Sequence, residues 1–372
     1  NLFNHPVNPN WNVEDELYPM FASVIAVEPE HTYVGKYSAE FVEEGADVRY
    51  AVWARQLAKD DDGRVTGVYF EDEAGDMHKA VAKNGVILAT GNFSSNPAMI
   101  DYYVRSAAEL EPTGWPEVDA KGNVTNVGDG ISLAAWAGAA IDRSETMTYV
   151  CDSYGGAMGC NPFLLVDGLG NRFMNEDVPG QNIADEHTRQ PVSKDPEMAA
   201  AGVKAWQIFD SKWPEQIIHM PDGHGYTTYF IPEEETDKYA TVLSGFGLGY
   251  TTKAMVDEST DVICDTLEEL AEQTGLPYET MKAEIERYNE LCHKGVDEDF
   301  GKMAKRMFPV ENPPYYACKF GNAGMLVMVG GLECTHNLEV TKNGTNDPIP
   351  GLYVAGNSMG RRFLVDYPVV VA

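Results

Sequence analysis

From Tyr33 to Phe93 the apolar and polar positions fall into short runs around one longer segment. Val34 to Glu44 is helix-like, and Gly45 stands where a helix would stop. The stretch Asp47 to Trp53 alternates as a half-buried strand does. Ala54 to Lys79 reads as a pair of hairpins, with Asp61-Asp62-Gly63 as one turn and Glu73-Ala74-Gly75-Asp76 as the other. Gly85-Val-Ile-Leu-Ala-Thr-Gly91 is a compact apolar strand ending in small residues, the pattern of a parallel-sheet strand buried on both faces. After Gly128-Asp129-Gly130 comes an alanine-rich helix over Ile131–Ala139, with Gly138 where close helix packing would want a glycine.

From about Thr146 the chain is richer in Met, Tyr and loop residues, which points to a second domain. Within it, Asp265 with Glu268 predicts a capping-box start for one helix. Pro277 opens another, whose Met281, Ile285, Tyr288 and Leu291 share one face. Tyr315 to Ala372 returns to strand-rich, glycine-rich sequence, and Gly351-Leu-Tyr-Val-Ala-Gly356 repeats the pattern of Gly85 to Gly91. The boundaries expected are 1–145, 146–310 and 311–372, the first and last belonging to one domain.

Composition narrows the function. At 372 residues the chain is past the size at which one core usually stops growing. With 58 acidic and 27 basic residues its net charge is -31, which repels a phosphate backbone, so nucleic acid is not an expected partner. No apolar run approaches the roughly 20 residues of a membrane-spanning helix. The cysteines Cys151, Cys160, Cys264, Cys292, Cys318 and Cys334 are far apart and read as isolated thiols. His219 and His224 have poor spacing for a metal, and no metal site is expected. Without a G-x-S-x-G elbow, hydrolase chemistry has no support.

The candidate chemistry lies at the ends of two strands. VILATG and LYVAG each run into glycine, which lets backbone approach a phosphate or flat ring closely, in the crevice where open parallel sheets bind ligands. One such turn is unremarkable, but Gly91 and Gly356, 265 positions apart on similar strands, suggest one shared site.

Four ordered segments carry a resemblance: GVILATGNFSSN, VGDGISLAAWAGA, NPFLLVDGLGNRFMNE and PIPGLYVAGNSMG. They are similar to motifs of the fumarate reductase and succinate dehydrogenase flavoprotein family, which includes urocanate reductases and 3-ketosteroid dehydrogenases. The DDDGRVTGVYFED hairpin and the helix pair from Asp265 to Gly295 also match. The resemblance implies an α/β fold: an incomplete FAD-binding Rossmann-like domain with an inserted α+β capping domain, and FAD as cofactor. By the same resemblance Ala89, Thr90 and Gly91, with Asn92, Gly128 and Asp129, lie against the cofactor, and Gly356 with Asn357 runs along its ribityl and flavin edge. The family's G-x-G-x-x-G fingerprint is expected before Asn1, in a longer polypeptide of which this chain is a fragment.

Departures from the pattern bear on the substrate. Where fumarate reductases carry a proton-delivering arginine, counting from Arg172 reaches Gly180, and the upstream relay falls among Gly155, Gly156 and Gly159. Val327 and Tyr367 stand at the positions of the substrate-binding His and Arg. A dicarboxylate needs cationic, bidentate partners, so fumarate is disfavoured. Tyr367-Pro368 resembles the ending of 3-ketosteroid dehydrogenases, whose tyrosine hydroxyl bonds the substrate carbonyl; the other reading is a core tyrosine. Arg361 or Arg362 either anchors an anionic substrate, steadies reduced flavin, or belongs to a surface pair. Asn175 and Glu176 shape the cap near the flavin or hold a structural turn. A tyrosine within Tyr149–Tyr154 or Tyr226–Tyr229 is a candidate proton donor or acceptor, the other reading being a packing residue with a satisfied hydroxyl. The expected activity is hydride transfer between flavin and an alkene or alkane bond beside a carbonyl or carboxyl, on a small molecule with an activated alkene and with an external electron donor or acceptor. A non-catalytic flavin or small-molecule binder that keeps the fold is the alternative.

Overall fold

In the computed structural model the described residues are 2–4, 25–27, 32–103, 118–119, 121–142, 147–150, 158–178, 183, 186–220, 229–239, 250–321, 324–328 and 330–360. They divide into two compact units, one drawn from Asn1–Asn4, Ile25–Thr148 and Met325–Ala372, the other from Tyr149–Gly324.

In the first unit, helix α1 (Thr32–Glu43) ends where Gly45 takes a φ of 99° and its N–H reaches back to Val42 O at 3.0 Å. Three antiparallel strands follow, β1 (Trp53–Lys59), β2 (Val65–Glu71) and β3 (Met77–Val81), joined by the two expected turns. In each turn an aspartate at the first position, Asp60 or Asp72, accepts amide hydrogens from its own loop. The alternation of Asp47 to Trp53 does not make a strand. Asp47 pairs with Arg49 at 2.7 Å, Ala51 has a φ of 52°, and Tyr50 is 82% exposed, so local side-chain bonding wins over an extended run with no partner strand among the described residues.

Beyond these come β4 (Val86–Leu88), α2 (Pro97–Tyr103) and α3 (Asp129–Trp136). β4 is apolar but not buried on both faces: Leu88 is buried while Ile87 is 68% exposed. It lies at the edge of a three-stranded sheet among the described residues, and an edge strand has less to cover it. Gly138 does not serve helix packing either. It has a φ of 98°, its N–H bonds Ala135 O at 2.9 Å, and a Cβ there would meet nothing within 4 Å; it ends α3 as a left-handed stop.

The second unit is built on a four-stranded antiparallel sheet. Its strands are β5 (Leu164–Asp167), β6 (Ala205–Asp210), β7 (Val262–Cys264) and β8 (Tyr315–Phe320), in the order β7-β8-β6-β5. Every residue of β6 is buried. Trp206 and Ile208 pack in one cluster with α5 (Leu267–Thr274) and α6 (Tyr278–Lys294), numbered after α4 (Lys253–Ser259), while Phe209 and Tyr316 pack in another with Trp213 and Val256. The expected face of α6 is the buried one: Met281, Ile285, Tyr288 and Leu291 are each 1% exposed or less, burial contributing roughly 2 kcal/mol per side chain. α5 starts one residue later than its expected capping box. Thr266 accepts from Glu269 N at 3.2 Å and Glu269 reaches back to Asp265 N at 3.2 Å. Threonine with glutamate three residues on is the same device in a shifted frame.

The chain re-enters the first unit with β9 (Glu339–Thr341) and β10 (Pro348–Val354). β9 pairs antiparallel with β10, and β10 pairs parallel with β4.

Candidate functional site

Parallel pairing of β4 with β10 sets Val86, Ile87 and Leu88 opposite Leu352, Tyr353 and Val354. Two strands in parallel register end at the same edge, so the turns that follow them are neighbours. Ala355 N still donates to Leu88 O at 2.9 Å, and then both chains turn away. Gly91 does so with a φ of 77° and Gly356 with a φ of 61°, backbone conformations a side chain would strain.

Ser358 joins the turns. It is fully buried, and its Oγ accepts from Thr90 N at 2.9 Å, lies 3.1 Å from Thr90 Oγ1 and donates to Gly91 O at 2.9 Å. With its one hydrogen given to the carbonyl, the hydroxyl takes a hydrogen from Thr90 Oγ1, so its bonding capacity is filled. Ala89, Thr90 and Gly356 remain exposed and Asn357 half-buried. A Cβ at Gly356 would meet nothing within 4 Å, so open space borders the turn.

The first turn of α3 closes the other side. A Cβ on Gly130 would lie 1.9 Å from Thr90 Oγ1, which no side chain permits, and Gly128, with a φ of 83°, packs as closely on Met99 and Phe93. The helix thus starts against the Thr90 turn, its first-turn N–H groups and positive end beside it, with Asp129 exposed in the first turn. Asn92 is buried, its Oδ1 accepting from Ser94 N at 2.8 Å; the side chain braces the loop. Asn126, also buried, donates to Ser94 Oγ, and Asn96 donates to Val127 O at 2.8 Å, which ties this loop to the approach to α3.

Ala89, Thr90, Gly91, Asn92, Gly128, Asp129, Gly356 and Asn357 are therefore gathered in one region of the first unit. Tyr367, Arg361 and Arg362 lie outside the described residues, as do Gly155, Gly156, Gly180, Cys151, Tyr154, His224 and Tyr226. Tyr229 is described, and its ring stacks on Tyr250 at 4.8 Å. Gly130 and Ser358 stand in the second and fourth motif segments, VGDGISLAAWAGA and PIPGLYVAGNSMG, without a role of their own there, because nothing local signals that a serine 268 positions from Thr90 touches it.

In the second unit, Arg172 and Glu176 make a buried ion network. Arg172 donates to both oxygens of Glu176, at 2.9 and 2.8 Å, and to both of Asp297, at 3.0 and 2.8 Å. Lys302 Nζ lies 3.3 Å from Glu176 Oε2 and donates to Tyr288 Oη at 2.8 Å. Two cations face two carboxylates, so the cluster is neutral. Burial opposes the Asp297 carboxylate, yet the Arg172 hydrogen bonds hold its pKa down to about 2. Asn175 caps its own turn, accepting from Asp177 N at 2.8 Å. Of the two readings of Asn175 and Glu176, these contacts are those of the structural turn.

The chain matches the FAD binding domain family over residues 22–364. It belongs to that family, and its cofactor is FAD. It is 30% identical over 324 residues to the 3-oxosteroid 1-dehydrogenase of Mycolicibacterium smegmatis, a match covering 80% of this chain and 51% of the relative. It is 27% identical over 337 residues to the vinyl phenol reductase of Lactiplantibacillus plantarum, covering 84% and 61%. The fold is similar to that of a 3-ketosteroid-Δ4-(5α)-dehydrogenase from Rhodococcus jostii RHA1, solved with 4-androstene-3,17-dione, with a TM-score of 0.57 at 24% identity over 86% of this chain and 56% of that one. The chain spans about half the length of the curated relatives it matches. The fold is a mixed helix and strand fold similar to FAD-binding flavoenzymes. The residues present suit the cofactor: exposed backbone at two glycine turns, a helix start beside them, and open space at Gly356.

Proposed function

We propose that the protein is an FAD-dependent oxidoreductase acting on a carbon–carbon bond next to a carbonyl or carboxyl group, with an enone or ketosteroid-like substrate preferred over fumarate. The observation that carries this reading is the Ser358 bridge, which makes one exposed cradle of the turns at Ala89–Gly91 and Gly356–Asn357. The substrate class follows the relatives, named for a 3-oxosteroid and a vinyl phenol, and the lack of cations at the positions where a dicarboxylate would need them.

Bound FAD supplies the hydride chemistry. The chain's own residues hold and orient. Backbone at Ala89, Thr90 and Gly91 and at Gly356 and Asn357 lines the cofactor, with Asn92 bracing the first turn and the α3 start at Gly128 and Asp129 completing it. Tyr367 donates its phenol hydrogen to the substrate's carbonyl oxygen as that atom gains negative charge. Arg361 or Arg362 anchors an anionic group of the substrate. Electrons enter or leave through an external donor or acceptor.

In finer terms the first unit is the incomplete FAD-binding Rossmann-like domain, expected over 1–145 and 311–372, and the second is an inserted α+β capping domain, expected over 146–310, which extends past 310 to include β8 (Tyr315–Phe320) because that strand pairs with β6. Exposed Ile87 on β4 and exposed Tyr37 and Phe41 on α1 support this, since a further strand-turn-helix would cover such apolar surface.

The test is anaerobic reduction of the full-length flavoprotein followed by mixing with enones, enoates and fumarate. Reoxidation by enones or enoates is expected; by fumarate alone it removes the substrate assignment, and by none it removes the enzyme. Tyr367→Phe should lower kcat about 100-fold or more with FAD retained, whereas a binding protein would be indifferent.

A further inference from the structure

We infer that a groove between β1 and the C-terminal end of α3 is a second binding site, for a compact planar aromatic anion. The inference stands on the groove alone and does not rest on the proposed reaction. The groove holds about 350 Å³ and is lined by Arg55, Gln56, Leu57, Lys59, Leu133, Trp136 and Ala137. That volume suits a small molecule, since ligand pockets run from roughly 300 to 1,000 Å³.

Its lining combines three kinds of contact. Leu57 and Leu133, each 4% exposed, form an apolar floor. Trp136, the last residue of α3, is 76% exposed, a large aromatic surface left in water in a groove that two cations also line. Trp136 and Arg55 both line the groove, and an indole and a guanidinium each offer a flat face to a ligand, the cation adding charge.

Both cations are held before any ligand arrives. Arg55 Nε donates to Glu71 Oε2 at 2.8 Å, which fixes the guanidinium and leaves its terminal nitrogens for a carboxylate or phosphate. Lys59 Nζ donates to Ala137 O at 3.0 Å, at the carbonyl end of α3, and keeps two further hydrogens. Fixing a side chain in advance lowers the entropy cost of binding. Glu71 offsets one of the two positive charges, so the site retains one. The neighbouring Asp60 carboxylate is turned into its own loop, accepting from Asp62 N and Arg64 N. A ligand with a flat ring for Trp136 and one anionic group for Arg55 and Lys59 matches the aromatic and cationic parts of the lining.

The test is calorimetric titration of the FAD-loaded full-length protein with 1-naphthoate. Phenyl phosphate serves as the phosphate arm, and 1-naphthalenemethanol and cyclohexanecarboxylate as the neutral and non-planar controls. Saturable binding of one naphthoate or phenyl phosphate is expected, at least tenfold tighter than either control. Lys59→Gln and Trp136→Ala should each weaken it about tenfold, and Lys59→Arg should restore it. Both side chains are exposed, so the variants fold, which circular dichroism and flavin content will verify. No saturation, equal binding of the controls, or affinity unchanged in both variants overturns the site. Because flavin content and reoxidation are read separately, failure here is distinguishable from failure of the proposed reaction.

Discussion

Ser358 shows how much one hydroxyl can decide. Its side chain bonds both the amide of Thr90 and the carbonyl of Gly91, and it does so from the opposite strand end. In Ser358→Ala the Thr90 amide and the Gly91 carbonyl lose that partner at a partly buried position, a cost of about 1–3 kcal/mol. FAD affinity, measured by equilibrium dialysis, should fall about tenfold or more, and unchanged affinity would mean the turns hold their places without the bridge. His187 supplies a second residue-scale prediction. It is fully buried, its ring tilted at 55° against Phe320 with centroids 4.9 Å apart; burial, reinforced by the charge of Lys204, pushes its pKa down to about 4. The unfolded chain therefore binds a proton that the folded one refuses between about pH 6.5 and 4, and stability falls as pH drops through that window. The contribution is roughly 3 kcal/mol. Denaturant melts of wild type and His187→Phe at pH 7 and pH 4.5 should differ in slope, the variant losing less on acidification.

Among the elements, those specified by local contacts were legible in the residues. The two hairpins follow from an aspartate-and-glycine turn flanked by alternating residues, and α6 follows from four apolar residues on one face. Asp47 to Trp53 misled because alternation expresses a strand only where a neighbour accepts its hydrogen bonds. The start of α5 is a sharper case. Two frames, Asp265 with Glu268 and Thr266 with Glu269, fit one sequence rule, and the backbone selects the second. Thr266→Ala should cost about 1 kcal/mol, as lost caps do. Asp265→Ala should change stability by no more than a few tenths, since Asp265 contributes only its amide. Urea melts of the two variants compare them directly; equal losses would restore the earlier frame.

At the scale of the molecule, 58 acidic residues against 27 basic ones set a field that acts on every element. Like charges crowded onto a compact surface repel, and salt screens them, the Debye length falling from about 10 Å at 0.1 M to about 3 Å at 1 M. The midpoint of thermal unfolding should therefore rise by several degrees between low salt and 0.5 M sodium chloride, by calorimetry. The buried network of Arg172, Glu176, Asp297 and Lys302 is shielded from that screening and should not set the trend.

The residues by themselves determined the local pieces: turns, the face of α6, the two strands that end in glycine, and the family those motifs carry. They do so because hydrogen bonds and side-chain periodicity within a few positions need no distant partner. Only the tertiary structure decided that Thr90 meets Ser358, that Gly130 has no room for a side chain, and that Arg172 belongs to a buried ion network with Asp297. Those contacts join positions more than a hundred residues apart or on separate elements, where the outcome depends on which strands pair and in what register.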